Sequence, residues 1–215
     1  METTQIKFWK GEFGQDYTDR NNFDPASWDK FYLSYWGITK EAMNEACMGF
    51  MNKNSKILEV GCNIGLQLLC FQRMGYNNLH GIEIQDYAVE KAKQNTKSIN
   101  IIQGSAFDLP YKDNWFDLVC TNGVLIHINP NDYDKIMSEM YRCSSKFIMG
   151  FEYYSENLKA INYRGNEGYL WKADFAQEFC KRFPDLKLVY KQFYPYTSVA
   201  EAGNVDYIYL LEKTK

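Results

Sequence analysis

Residues 56–75 read KILEVGCNIGLQLLCFQRMG, and no other stretch limits the fold as much. Lys56–Val60 is a short apolar strand. A break bounded by Gly61 and Gly65 follows, then an amphipathic run with apolar Leu66, Leu68, Leu69, Cys70, Phe71 and Met74. A strand, a glycine-bounded turn and a helix in that order place a nucleotide cofactor at the carboxyl end of a sheet.

Beyond this stretch the chain alternates. Strand patterns fall at 79–84, 99–103, 116–121, 146–151, 186–194 and 205–211, with helical patterns at 87–95, 132–143 and 173–183. Such alternation builds a mainly parallel sheet covered on both faces. Asn129–Pro130 followed by NDYDKIMSEMYRC is a helix start with acidic residues in its first turn. Between the last two strands lies PYTSVAEAGN, a turn region rather than a helix, so those strands are expected to be antiparallel neighbours. The expected fold is α/β: a Rossmann-like seven-stranded mixed sheet with the last strand antiparallel. Residues 1–50 form an N-terminal helical cap or lid, with one or two helices in DPASWDKFYLSYWGITKEAMNEACMGF. Residues 51–215 form the core, with an insertion around 152–172.

With 215 residues the chain can bury one full α/β core plus an appendage. A net charge of −3 offers no basic field for nucleic acid or an anionic membrane. The six cysteines contain no C-x-x-C pair, and Cys62, Cys70, Cys120 and Cys143 sit in or beside apolar segments as small core residues. With only two histidines, His80 and His127, no metal site is expected. The opening METTQIKFWKGEFG has no signal-peptide core and no apolar run spans a bilayer, so the expected location is the cytoplasm. Many of the aromatic residues, which include 17 Tyr and 14 Phe, crowd two segments, 8–37 and 151–171, which read either as ordinary packing or as pocket walls.

The glycine turn discriminates between cofactors. A dinucleotide turn wants G-x-G-x-x-G, whereas this register gives Gly61, Asn63 and Leu66. Asn63 tolerates a left-handed backbone but is a poorer neighbour for a pyrophosphate. An acidic residue in the strand followed by G-x-x-x-G fits better: Glu59, Gly61 and Gly65 match it. That turn need not enclose phosphate, which suits S-adenosylmethionine. Glu83 ends the second strand in HGIEIQD, 22 positions after Gly61 (83 − 61), close to the ~20 expected of a ribose-binding acid. It serves either nucleoside cofactor.

Residues 103–128, QGSAFDLPYKDNWFDLVCTNGVLIHI, carry D-L-P-Y, F-D-L-V and V-L-x-H-I in order. With the glycine turn, this resembles class I S-adenosylmethionine-dependent methyltransferases. FWKGEFGQDYTDRN, GVLIHINP, FEYYS and NYRGNEGYLWKADFAQEF further resemble the clade of pseudaminic acid biosynthesis-associated methylases. The resemblance implies methyl transfer from S-adenosylmethionine to a small polar acceptor, a sugar or activated intermediate of bacterial surface-glycan biosynthesis. It implies cofactor contacts at Gly61, Cys62, Asn63, Gly65, Glu83, Ile84, Gly104, Ser105, Ala106 and Asn122. Ser105 stands where an aspartate often meets the adenine amino group.

Methyl transfer from a sulfonium is an in-line displacement that needs positioning and exclusion of water. His127, just past the fourth strand, is the candidate base; the alternative is a histidine that anchors its loop. His80, at the other end of the sheet, is structural. Glu152, Tyr153 and Tyr154 after the fifth strand, with Tyr163 and Arg164 in NYRGNEG, are candidates for the acceptor pocket, Arg164 as a clamp on a carboxylate or phosphate. In the N-terminal segment Trp9, Phe13 and Tyr17 would cover the cofactor and Arg20 would pair with its carboxylate. O-methylation is slightly favoured, because a base is available. Two rivals remain: a non-catalytic binding protein on the same fold, and an NAD-dependent oxidoreductase. Oligomeric state is not legible here.

Overall fold

The computed structural model describes residues 3–197 and 203–214. Four helices precede the sheet: α1 (Thr4–Lys10), α2 (Glu12–Arg20), α3 (Pro25–Trp36) and α4 (Lys40–Met48). The sequence reading named helices only for the last two. Helix α3 starts where Asp24 accepts the Ala26 and Ser27 amides with Pro25 in its first turn, and it stops at Gly37, whose φ of 69° a side chain would resist.

The core then runs β1 (Lys56–Val60), α5 (Leu66–Arg73), β2 (Asn78–Glu83), α6 (Asp86–Asn95), β3 (Asn100–Gln103) and β4 (Phe116–Asn122). Helix α7 (Tyr133–Cys143) and strand β5 (Ser144–Tyr153) follow. Asn129 does cap a helical start, but that of a short 3-10 turn, Pro130–Asp132, which leads into α7. Two short strands, β6 (Lys159–Ala160) and β7 (Trp171–Lys172), pair antiparallel and bracket the insertion. Helix α8 (Phe175–Arg182) and strands β8 (Leu186–Pro195) and β9 (Val205–Lys213) complete the chain. Part of the β8–β9 connection, 198–202, lies outside the described residues.

The sheet order is β3-β2-β1-β4-β5-β9-β8. β1 pairs parallel with β2 and β4, β2 with β3, and β4 with β5. β9 is antiparallel to both β5 and β8, as the sequence pattern of the connection predicts. Two apolar layers cover the faces. Ile57, Leu118, Met149 and Leu210 pack under α3 to α6, while Leu58, Val119, Ile148 and Leu211 pack under α7 and α8. In α7, Ile136, Met137, Met140 and Cys143 face inward at helical spacing. Among the described residues no helix is long and apolar enough to cross a membrane.

The topology brings the carboxyl ends of β1, β2, β4 and β5 to one edge. Because β9 runs the other way, it presents its beginning, Val205 and Asp206, at that same edge.

Candidate functional site

A cavity of about 650 Å³ opens along this edge, roofed by α1, α2 and α3. Its floor begins with the turn after β1. Gly61 has φ 73°, and a Cβ there would meet Val124 Cγ2 at 2.6 Å. Both Gly61 and Cys62 donate their amides to the Ile82 carbonyl, at 2.8 and 3.1 Å. Asn63 sits in the left-handed region at φ 44°, as its side-chain type permits. Gly61, Cys62 and Asn63 line the cavity; Gly65, with φ 83°, does not, and serves instead as the N-cap of α5.

Glu83 closes the turn from β2. Its Oε2 accepts the Asn63 amide at 2.9 Å, and its Oε1 accepts the Ile84 and Gln85 amides at 2.7 and 3.0 Å. Burial raises its pKa while these three amides pull it down. The carboxylate thus sets the shape of two loops and still faces the cavity, where Ile84, Gly104, Ser105 and Ala106 join it. The Ser105 hydroxyl accepts the Phe107 amide at 3.2 Å, which fixes its lone pair and leaves its proton to donate. Nearby, Glu59 Oε2, Asn63 Oδ1 and Asn122 Oδ1 are buried without a hydrogen-bond partner, and all three residues line the cavity.

His127 follows β4 in a 3-10 turn, Leu125–His127. It is 8% exposed and lines the cavity. Its Nδ1 lies 2.8 Å from the Tyr169 carbonyl oxygen. A carbonyl only accepts, so Nδ1 carries the proton and Nε2 keeps a lone pair. Burial lowers the pKa to about 4 against the opposing pull of that hydrogen bond, so the ring is neutral near pH 7. Trp9 and Tyr163 flank it with ring centroids 4.6 and 4.9 Å away.

The N-terminal helices are fastened over this floor by two glutamines that the sequence reading passed over. Gln5 donates to the His127 carbonyl at 3.1 Å and accepts the Asn129 amide at 3.0 Å. Gln85 donates to the carbonyls of Trp9 and Gly11, both at 3.2 Å, and accepts from the Thr18 hydroxyl at 3.2 Å. Trp9, Tyr17 and Arg20 line the cavity; Phe13 does not, and lies between Phe8 and the Arg20 guanidinium. Burial raises the Tyr17 hydroxyl well above its ordinary value.

Of the acceptor candidates, Tyr153, Tyr163 and Arg164 line the cavity. Arg164 (φ 52°) and Gly165 (φ 84°) are the central residues of a two-residue turn between Tyr163 and Asn166, the backbone that tight hairpins need. Glu152 and Tyr154 are placed elsewhere. Strand alternation turns Glu152 under the 124–126 loop, where it accepts the Val124, Leu125 and Ile126 amides at 3.2, 3.2 and 3.3 Å. Burial holds its pKa up at about 7. Tyr154 packs on Phe193 and Tyr207. His80 is in β2 against Phe116, away from the cavity.

Residues 58–146 match the family profile described as a methyltransferase domain. The chain is 29% identical over 94 residues to ribosomal protein L11 methyltransferase of Thermotoga neapolitana, covering 42% of this chain and 36% of that protein. It is 25% identical over 116 residues to phosphoethanolamine N-methyltransferase of Plasmodium falciparum, covering 52% of this chain and 42% of that one. The chain thus spans about two fifths of these relatives' length. The crystal structure of Burkholderia thailandensis 1,6-didemethyltoxoflavin-N1-methyltransferase, with bound 1,6-didemethyltoxoflavin and S-adenosylhomocysteine, superposes with a TM-score of 0.68. Identity there is 16%, and the match covers 95% of this chain and 86% of that one. The seven-stranded sheet, the glycine turn and the matched segment give one conclusion: the chain has the class I S-adenosylmethionine-dependent methyltransferase fold, and its residues 58–146 match a methyltransferase-domain profile.

Proposed function

We propose that the protein transfers a methyl group from S-adenosylmethionine to a small polar acceptor. The observation that carries this reading is the convergence of the Gly61–Asn63 turn, Glu83 and residues 104–106 on one cavity that also holds a neutral, tautomer-fixed His127. The wall fits the cofactor: buried oxygens of Glu59, Asn63 and Asn122 that line the cavity have no partner and await donors. S-adenosylmethionine supplies, when bound, an electrophilic methyl on a sulfonium. Glu83 would hold the ribose hydroxyls, Ser105 and Ala106 the adenine, Glu59 the ammonium and Arg20 the carboxylate of the methionine end.

On this reading His127 Nε2 takes the proton that the acceptor loses as it is methylated. Trp9 and the α1–α2 lid keep water out, which sharpens every charge interaction within. Tyr153, Tyr163 and Arg164 orient the acceptor. The available base favours a hydroxyl as the methylated group. A surface-glycan intermediate as the acceptor rests on the sequence resemblance alone.

Calorimetric titration with S-adenosylmethionine, S-adenosylhomocysteine and NAD tests the cofactor. Micromolar binding of the two sulfur nucleosides, weakened by Glu83→Ala and absent for NAD, is expected. Folded protein that binds neither overturns the reading, and NAD binding competitive with S-adenosylmethionine would replace it with a redox function.

A further inference from the structure

At the end of the cavity away from β2 stands Asp206, on β9. It is 1% exposed, and its Oδ2 accepts the Tyr196 hydroxyl at 3.1 Å. Its Oδ1 is buried without a partner, yet the residue lines the cavity. Aromatic rings surround this end. Trp36 meets Tyr196 at 5.1 Å and Phe151 at 5.6 Å, Tyr35 meets Tyr196 at 5.9 Å, and Tyr153 meets Tyr196 at 6.5 Å. All five rings line the cavity with Asp206. Rings present a negative face, and a carboxyl whose buried oxygen has no partner can ionise against an arriving cation, so such a cage attracts a cation and not an anion.

The cage is separate from the cofactor wall. From β1, which carries the glycine turn, three strand spacings lead through β4 and β5 to β9, about 14 Å at ~4.8 Å each. His127 follows β4, between the two ends. Two lysines touch cage rings without lining the cavity: Lys172, whose Nζ is 5.5 Å from the Tyr153 centroid, and Lys40. Lys40 is buried behind Phe151, its Nζ 3.7 Å from that ring's centroid, but it does not line the cavity. Neither Lys40 Nζ nor Asp206 Oδ1 has a hydrogen-bond partner, so they do not satisfy each other. Lys172, also near Asp206, is bonded to Asn204. Burial without enough partners pushes the Asp206 carboxyl well above its ordinary value.

We propose that this aromatic cage, closed by Asp206, is a subsite for an ammonium group carried by the acceptor, which holds it as a cation while a different atom of the acceptor is methylated. An ammonium has no lone pair to attack a methyl group, so anchored here it positions the acceptor and leaves the methylated atom within reach of His127. The acceptor is then an amino compound with a second nucleophilic group. This inference rests on the methyl-transfer reading and specifies its substrate.

The test uses choline and its neutral isostere 3,3-dimethylbutan-1-ol, with ethanolamine as a smaller cation. Binding is followed by saturation-transfer NMR and tryptophan fluorescence in protein saturated with S-adenosylhomocysteine. The expected result is that at least one cation binds at millimolar concentration, with the isostere about tenfold weaker or more. Asp206→Asn and, separately, Trp36→Leu abolish that preference while S-adenosylhomocysteine still binds. Equal binding of choline and isostere, no binding of either cation, or displacement of the cation by S-adenosylhomocysteine overturns the proposal. If S-adenosylhomocysteine itself fails to bind folded wild-type protein, the methyl-transfer reading falls instead, and the two failures are thereby told apart.

Discussion

His127 donates its Nδ1 proton to the main-chain oxygen of Tyr169 across 2.8 Å. The insertion between β6 and β7 therefore sets the tautomer of the candidate base, through a neutral carbonyl. No carboxylate raises the basicity of the ring, and burial lowers its pKa to about 4. Replacing His127 by Ala is expected to cut turnover about 10²–10⁴-fold while S-adenosylhomocysteine still binds. Turnover that survives the replacement would reduce His127 to a loop anchor.

The same shift has a pH consequence. His127 is neutral in the fold, so its contribution to stability is complete above an unfolded pKa of about 6.5 and is lost as pH falls towards 4. A fall of about 2.5 units corresponds to about 3 kcal/mol at most. Glu152, held up at about 7, works in the opposite direction: its contribution is present below an unfolded value of about 4.5 and is lost as pH rises through 7. Comparing wild type with His127→Gln by denaturant unfolding from pH 7.5 to 4.5 isolates the histidine, because Glu152 is common to both. The gap between the two should change steadily in favour of the variant as pH drops; a constant gap would mean that folding leaves the pKa of the ring unchanged.

Glu83 combines two tasks that two substitutions separate. Glu83→Gln loses the charge and one of the two accepting oxygens, and should weaken S-adenosylmethionine about 10- to 100-fold, as expected for losing charge-assisted bonds. Glu83→Ala also leaves the Asn63, Ile84 and Gln85 amides without their acceptor, and should in addition cost about 1–3 kcal/mol of stability. Calorimetry and denaturant unfolding on both variants check this; equal stability of the two would show that the amides find other partners.

Much of this was legible because some positions admit few side chains. Gly61 and Asn63 declare a left-handed turn, and the absence of a helical pattern before β9 declares its direction. The lid was harder. Helices α1 and α2 have 7 and 9 residues, too short to hold themselves, and they are fastened by rings such as Phe8 on Tyr169 and by Gln5 and Gln85, which look like surface residues in the sequence. Glu152 was read as part of the acceptor wall because it follows a strand expected to end at Phe151, yet β5 continues to Tyr153 and its period-two alternation sends Glu152 to the face opposite Phe151. Asp206 carried its signal in VDYIYLL, a lone acid in an apolar strand. Its importance depends on the antiparallel course of β9, which brings the start of that strand to the edge where parallel strands end.

Glu152 should act through the loop and not through the acceptor. Its carboxylate holds the Val124, Leu125 and Ile126 amides, and His127 is the next residue. Glu152→Gln can accept with only one oxygen, so it should lower kcat about tenfold or more by loosening the base, with KM for the acceptor changed little. A change confined to KM would return Glu152 to the acceptor pocket.

The lid can be loosened at the two residues where it meets the loop after β2. At Gly14 a Cβ would lie 1.9 Å from the Trp9 carbonyl oxygen and 2.7 Å from Gln85 Nε2. Glutamine could swing aside, but the carbonyl belongs to the α1 backbone, so Gly14→Ala must part α1 from α2. Gln85→Ala removes the same clasp chemically, since the carbonyls of Trp9 and Gly11 lose their donor. Both variants should speed release of S-adenosylhomocysteine about tenfold, the equivalent of about 1.4 kcal/mol, the order of one or two buried hydrogen bonds. Amide exchange in residues 4–20 should quicken with it while the strands stay protected. Stopped-flow release and exchange mass spectrometry read the two effects. Faster exchange with unchanged release would mean that the cofactor leaves by a route the lid does not cover.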